Sequence, residues 1–256
     1  MKIPAKNFFC SYKVLPLCLL ANIVACNQTS KQKTNNDNNL IEETNNNGLP
    51  NATISISKID INQLPQEIRY VGKVKEAIRY IDKLGEHIVI TTETGFYPSK
   101  NSQHNEDGPY SNDAELYAYQ FDIKEKLYNQ IWKIYDFILG CDMDIEASFI
   151  ENTLQITDLN SDSIAEVWVV YKKGCNSDVS PRDMKIIMYQ GTQKYAMRGT
   201  NKVCVGEDEV EKNGKIETIK IYMGGDYTFD NAFKNGSDEF REFAIKLWND
   251  NVIESW

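Results

Sequence analysis

Residues 78–92, IRYIDKLGEHIVITT, decide the fold. Ile78-Arg79-Tyr80-Ile81 alternates apolar and polar side chains, Asp82-Lys83-Leu84-Gly85 supplies turn formers, and Ile88-Val89-Ile90-Thr91-Thr92 runs on in β-branched residues. A period of two puts successive side chains on opposite faces of a pleated ribbon, and Gly at the close of the turn tolerates the backbone of a tight reversal. The stretch therefore predicts a β-hairpin, and the same grammar recurs downstream. Leu116-Tyr117-Ala118-Tyr119-Gln120-Phe121 answers to Leu127 through Phe137, whose tyrosines and Trp132 suit a half-buried sheet. Phe149 to Thr157 answers to Glu166-Val167-Trp168-Val169-Val170-Tyr171, and Met184 to Tyr189 returns as Lys194 to Met197 around Gln190-Gly191. Ile216 to Met223 adds a further strand. The hairpins share a pattern but do not align as a residue-by-residue repeat. A mainly β fold follows, with antiparallel hairpins forming a sandwich or a partial propeller-like body.

One helix is expected to close the chain. Ser237 stands at its start, Asp238 and Glu239 complement the N-terminal dipole, and Phe240, Phe243, Ala244, Leu247 and Trp248 form one apolar stripe that packs on the sheet.

Working outward, the chain of 256 residues is 41% apolar and 25% charged, enough for an ordinary core. With 28 Lys plus Arg against 37 Asp plus Glu the formal charge is −9, which repels phosphate backbones and argues against nucleic acid as a partner. Only His87 and His104 are present, a poor supply for histidine bases or imidazole metal sites. His104 lies in the polar loop SKNSQHNEDGPYSND, and neither GxSxG nor HExxH occurs. Acidic pairs such as Asp142, Asp144 and Glu146 would serve glycoside chemistry only if two faced each other across a cleft. The balance leans away from an enzyme.

The amino end reads as an address. Lys2, Lys6 and Lys13 precede the apolar stretch Val14 to Ala25, which is too short to span a bilayer, and no acid occurs before Asp37. The stretch ends Ile23-Val24-Ala25-Cys26, which resembles a bacterial lipobox with Cys26 as the lipidated residue. Residues 1–25 are then a signal peptide, and their removal deletes three lysines and no acid, moving the formal charge from −9 to −12. Several acyl chains on one cysteine, at about 0.8 kcal/mol per buried methylene, anchor a protein to the membrane. Residues 26–66, rich in Asn, Thr, Gln and Lys, read as the lipidated cysteine and a tether, although the alternation Ile54-Ser55-Ile56-Ser57 allows a short edge strand. Residues 67–256 form a single domain. The expected location is the cell envelope, at the outer membrane, with the periplasmic and external leaflets both open.

Three groups of residues carry candidate chemistry. Asp158-Leu159-Asn160-Ser161-Asp162-Ser163-Ile164-Ala165-Glu166 places oxygen donors at loop positions one, three, five and nine, a spacing that folds side chains around one hard cation. Calcium on Asp158, Asn160, Asp162 and Glu166 is one reading, and it resembles the short aspartate-rich loops of propeller-type repeats. A solvated Asx turn is the other. Ser163 stands where that loop pattern usually has Gly, so a positive φ is expected there at some cost. Second, Cys141 and Cys175 flank the third hairpin, and antiparallel return brings them within reach of a disulfide in an oxidising compartment, leaving Cys204 free. Third, Lys185, Lys194, Tyr195 and Arg198 pair cations with an aromatic beside a turn, a combination suited to an anionic sugar, although nearby Asp178 and Asp183 could simply balance the charge.

The segments DKLGEHIVITTETG (82–95), ITDLNSDSIAEVWVVYKKGCNSDVSP (156–181) and MKIIMYQGTQKYAMRG (184–199) resemble a family of bacterial lipoproteins described as surface polysaccharide biosynthesis proteins. The resemblance covers about residues 70–250. It implies a role in making or displaying surface glycan but assigns no reaction to particular residues, and Ser163 departs from the loop pattern. It leaves three expectations: a non-catalytic module binding surface polysaccharide or its assembly proteins, a carboxylate-dependent enzyme on glycan, or a structural envelope lipoprotein.

Overall fold

The computed structural model describes residues 54–100, 104–105, 108–109 and 111–254. The lipidation candidate Cys26, the signal peptide and most of the tether lie outside them.

Antiparallel pairing organises the body. The first sheet runs β1 (Ser55–Lys58), β2 (Lys73–Asp82), β3 (Gly85–Pro98), β6 (Asn112–Lys124) and β7 (Leu127–Cys141), in that spatial order. Between β3 and β6, the short pair β4 (His104–Asn105) and β5 (Gly108–Pro109) forms a separate ladder. The second sheet has the order β15 (Tyr227–Phe229), β12 (Gln193–Thr200), β11 (Asp183–Gln190), β10 (Glu166–Cys175) and β8 (Ile145–Phe149), with β9 (Gln155–Thr157) also paired to β10. The hairpin expected at residues 78–92 is present, with Asp82 opposite Gly85 and Lys83-Leu84 as its two-residue turn. The edge strand allowed at Ile54-Ser55-Ile56-Ser57 forms one residue further on, as Ser55–Lys58, so part of the stretch assigned to the tether packs on the body.

The two sheets face each other as a sandwich. Ile78, Tyr80, Val89, Leu116, Ala118, Trp132 and Ile134 from the first meet Phe149, Val167, Val169, Tyr171, Ile187, Tyr189 and Ala196 from the second. Trp132 stacks on Tyr189 with ring centroids 4.3 Å apart. Because side chains alternate, the second sheet buries its other face as well, through Trp168, Val170, Met184, Ile186, Met188 and Met197. α1 (Asn231–Asn235) and α2 (Asp238–Asn251) cover that face with Phe233, Phe240, Ala244, Leu247 and Trp248. Ser237 precedes α2 as expected, but its hydroxyl meets the Glu239 carboxylate and caps no backbone amide. On the outside of the first sheet, Ile59, Leu64 and Ile68 from the chain before β2 cover Ala77, Ile88, Ile90, Tyr119 and Phe121.

The strand at Ile216 to Met223 is β14 (Lys215–Gly224), paired with β13 (Lys202–Lys212) as a separate ribbon turning at Asn213-Gly214. Gly199 on β12 is required by close approach, because a Cβ there would lie 1.8 Å from the Asp226 carbonyl oxygen beside β15.

Candidate functional site

The β11–β12 ladder sets Lys185 opposite Arg198, and strand alternation places Lys194 on the same face, across Ala196. Ala196 belongs to the inter-sheet core, so these three cations line the inner face of the second sheet where it passes the edge strand β7. Lys173 on β10 joins them. Asp136 on β7 holds two of the four: its Oδ1 lies 2.9 Å from Lys173 Nζ and its Oδ2 lies 2.5 Å from Lys185 Nζ. Tyr171 also donates its hydroxyl to Asp136 Oδ2 at 3.0 Å. Burial by itself would raise the Asp136 pKa, but the hydrogen bonds and charges of Lys185 and Lys173 outweigh it and hold the carboxyl below its usual range. Among the described residues Lys194 and Arg198 make no ion pair. Partial burial, then repulsion from Arg198 and Lys185, pushes the Lys194 ammonium below its usual pKa. Beside them a cavity of about 440 Å³ is lined by Asp183, Lys185, Arg198, Thr200, Tyr227 and Thr228.

Tyr195, expected to stack on a sugar in the same site, occupies the opposite face. Its ring meets Phe233 and Phe240 edge-on at 5.4 and 5.6 Å, in the helix-covered core. The physical reason is the pleat itself: neighbouring residues on a strand cannot share a face. The exposed aromatics near the groove are instead Tyr135 and Phe137, which flank Asp136 on the outer face of β7 with ring centroids 5.1 Å apart.

Asp158, Asn160 and Asp162 lie in the loop between β9 and β10, and Glu166 opens β10. Asp158 Oδ2 accepts from the Ser163 amide at 3.2 Å, Asn160 Oδ1 from the Asp162 amide at 3.3 Å, and Asp162 Oδ1 from the Ile164 amide at 2.8 Å. Ser163 has φ +66°, the left-handed backbone expected at this position. Glu166 is fully buried and accepts from the Thr157 hydroxyl at 2.7 Å and the Leu159 amide at 2.9 Å. Burial raises its pKa, those two bonds oppose the shift, and the charges of Asp158 and Asp162 add to it. Asp158 Oδ1 is buried and accepts no hydrogen bond. Among the described residues no three His, Cys, Asp or Glu side chains converge as a metal-holding group, so Asn160 and backbone carbonyls would have to complete a calcium shell.

The bridge expected from the flanks of the third hairpin is formed. Cys141 ends β7 and Cys175 ends β10, with Cα atoms 5.7 Å apart, and the disulfide ties the edge of one sheet to the other. Cys204 is free and half-buried.

No family model, curated protein or solved structure matches this chain. The site must therefore be read from its own chemistry.

One polar group escaped the sequence reading. Asp82, His87, Gln120 and Asp122 are all buried, and strand alternation sets them on the inner face of the first sheet, in phase with Tyr80, Val89, Ala118 and Leu116. His87 Nε2 lies 3.2 Å from Asp82 Oδ1, and Asp82 Oδ2 accepts from the Ala165 amide at 2.9 Å, which ties the hairpin turn to the aspartate-rich loop. Burial opposes ionisation of Asp82, but His87 and the amides of Ala165 and Leu84 hold its pKa below the ordinary value. The signal was legible in principle: these are polar residues on the inward phase of strands that elsewhere carry Val, Ala and Leu.

Proposed function

We propose that the protein is a lipid-anchored module of the cell envelope that holds an anionic surface glycan by binding rather than by catalysis. The observation that carries this reading is the convergence of Lys173, Lys185, Lys194 and Arg198 on one inner face, with no ion pair to Lys194 or Arg198 among the described residues, in a chain of net charge −9. Local cations that repel one another favour an anion that bridges them, and guanidinium supplies a planar fork for a carboxylate or sulfate. Tyr135 and Phe137, 45% and 40% exposed on the same edge strand, offer ring faces to a polysaccharide crossing that edge. The lipobox at Cys26 and the resemblance to surface polysaccharide biosynthesis lipoproteins support the location, and the Cys141–Cys175 bridge fits an oxidising compartment.

The test is retention of the detergent-solubilised protein on immobilised acidic and neutral polysaccharides across a salt series. Preferential retention on acidic material, weakened by salt and reduced at least tenfold in Lys194→Ala/Arg198→Ala, is expected. Equal retention of that variant would defeat the reading.

Calcium in the loop at Asp158, Asn160, Asp162 and Glu166 is a second, separate proposal. It is supported by the buried, unpartnered Asp158 Oδ1 and the left-handed turn at Ser163. The ion would brace the β9–β10 connection rather than take part in chemistry.

A further inference from the structure

Next to His87 the sandwich opens into a cavity of about 460 Å³, lined by Leu84, Gln120, Asp122, Ile131, Ile164 and Thr192. Its size falls among small-molecule sites, which span about 300–1,000 Å³. The lining mixes aliphatic walls with three polar side chains that are almost wholly buried: His87 at 3% exposure, Gln120 at 2% and Asp122 at 5%. Burying such groups without partners is costly, and most of their valences are met. Asp122 Oδ2 lies 2.6 Å from Lys124 Nζ, His87 Nε2 faces Asp82, and the Gln120 amide nitrogen lies 3.4 Å from His87 Nδ1. Asp122 Oδ1 is the exception. It is buried, accepts no hydrogen bond and stands 3.7 Å from His87 Nδ1.

The residues state what chemistry would satisfy that oxygen. Lys124 already balances the charge of Asp122, so a hydrogen-bond donor is needed there and a cation is not. An anion would meet Asp162, whose carboxylate lies 3.0 Å from the Gln190 amide at the rim, while Lys124, the cation on the wall, is already held by Asp122. Leu84, Ile131 and Ile164 offer surfaces for C–H faces rather than for charge. A ring with hydroxyls on its edge and C–H groups on its faces matches every wall.

We propose that this cavity binds one neutral pyranose residue, with a ring hydroxyl donating to Asp122 Oδ1, the Gln120 side chain positioned for a neighbouring hydroxyl, and the aliphatic side chains against the sugar face. The site is built from different residues than the cationic groove and does not depend on that groove's ligand being a glycan.

The experiment is saturation-transfer NMR on the full chain in detergent with methyl glucoside, methyl galactoside, methyl mannoside and N-acetylglucosamine, with spermidine and glucuronate as charged controls. Transfer to at least one neutral pyranoside is expected, at least tenfold weaker in Asp122→Asn. Thr192→Trp, at an exposed turn, should fill the mouth and abolish transfer without disturbing the buried acid. That second variant decides the matter should Asp122→Asn fail to fold. Arg198→Ala should leave transfer within twofold of wild type, so failure of the groove reading and failure of the pocket give different patterns. The proposal is overturned by transfer to no neutral pyranoside, by stronger transfer to spermidine, by stronger transfer to glucuronate that persists in Lys194→Ala/Arg198→Ala, or by undiminished transfer in Thr192→Trp.

Discussion

Removing the Cys141–Cys175 bridge in the double variant Cys141→Ala/Cys175→Ala should destabilise the body by about 4 kcal/mol, and the magnitude follows from the chain rather than from local contacts. The two cysteines are 34 residues apart, and the loop-closure relation for a ring of that size gives about 4 kcal/mol near 25 °C. The native state offers little compensation in either direction. The backbone already returns to the bridge without it, because Cys175 pairs with Ile145 and the Asn176 amide donates to the Asp144 carbonyl at 3.1 Å. The bond therefore acts mainly by restricting the unfolded chain, and Ala at buried Cys141 leaves only a small void. For a body of this size a loss of 4 kcal/mol corresponds to a fall in melting temperature of roughly 8–16 °C. Urea unfolding with and without reductant measures it, since reduction of the wild type should reproduce the variant. Alkylation before and after reduction shows whether both thiols are protected. A shift of less than about 2 °C with both thiols protected would refute the entropic reasoning. A structural role for the bridge would also show in the groove, because Asp136 precedes Cys141 by five residues and Lys173 precedes Cys175 by two.

Other outcomes follow from single residues. Ser163→Gly should stabilise the protein by about 0.5–1 kcal/mol, because a non-glycine residue at φ +66° bears a left-handed cost that glycine does not; a lower urea midpoint would contradict this. Asp82 and Asp136 have lowered pKa values in the fold, so their stabilisation is present above the ordinary aspartate value of about 3.9 and is lost as pH falls through the lowered values. Glu166 acts oppositely, since its raised pKa makes protonation favour the fold and offsets part of that loss. Urea midpoints measured down to about pH 3 should therefore fall for the wild type and fall less for Asp136→Asn, which at neutral pH should itself be about 2 kcal/mol less stable. Calcium at about a hundredfold over its dissociation constant should add about 2.7 kcal/mol, removable by chelator and absent in Asp158→Ala; an unchanged midpoint in the wild type removes the metal. Phe240→Ala, which empties a fully enclosed site under α2, should cost about 3–5 kcal/mol by thermal unfolding.

How much of this was legible depended on whether local pattern and tertiary environment agreed. The hairpins at residues 78–92, 116–137 and 184–197 were readable because each buries one face against the same core, so burial and period coincide. β13 was not, because its Glu207-Asp208-Glu209 run hides any alternation in a ribbon exposed along most of its length. The closing helix was legible from its stripe, but α1 was not, since five residues capped by Asp230 carry too little periodicity. In the site, the cysteine pairing followed from hairpin symmetry, and the left-handed turn at Ser163 followed from the loop spacing. Tyr195 was grouped with Lys194 and Arg198 by closeness in sequence, whereas a strand sorts side chains by parity. The buried set at Asp82, His87, Gln120 and Asp122 comes from three strands, and its unity appears only when their registers are known.

The inner faces of the two sheets give a reason to connect these features. Over the middle of the sandwich inward positions are apolar, as packing requires. Toward one end they become Asp82, His87, Gln120 and Asp122, and beside β7 they become Lys173, Lys185, Lys194 and Arg198. The buried set does not help the fold, because replacing a buried charge network by well-packed apolar residues is commonly neutral or stabilising; Lys194 and Arg198, by contrast, are exposed. Ala196 illustrates the contrast, since it is fully buried on the same face as Lys194 and Arg198, which flank it on β12. Asp136 neutralises two of the four cations, and among the described residues no carboxylate pairs with the other two, although Asp183 and Asp226 stand nearby on the cavity wall. On the binding reading proposed above, Asp136 fixes Lys173 and Lys185 as the wall of the groove and leaves Lys194 and Arg198 for an incoming anion.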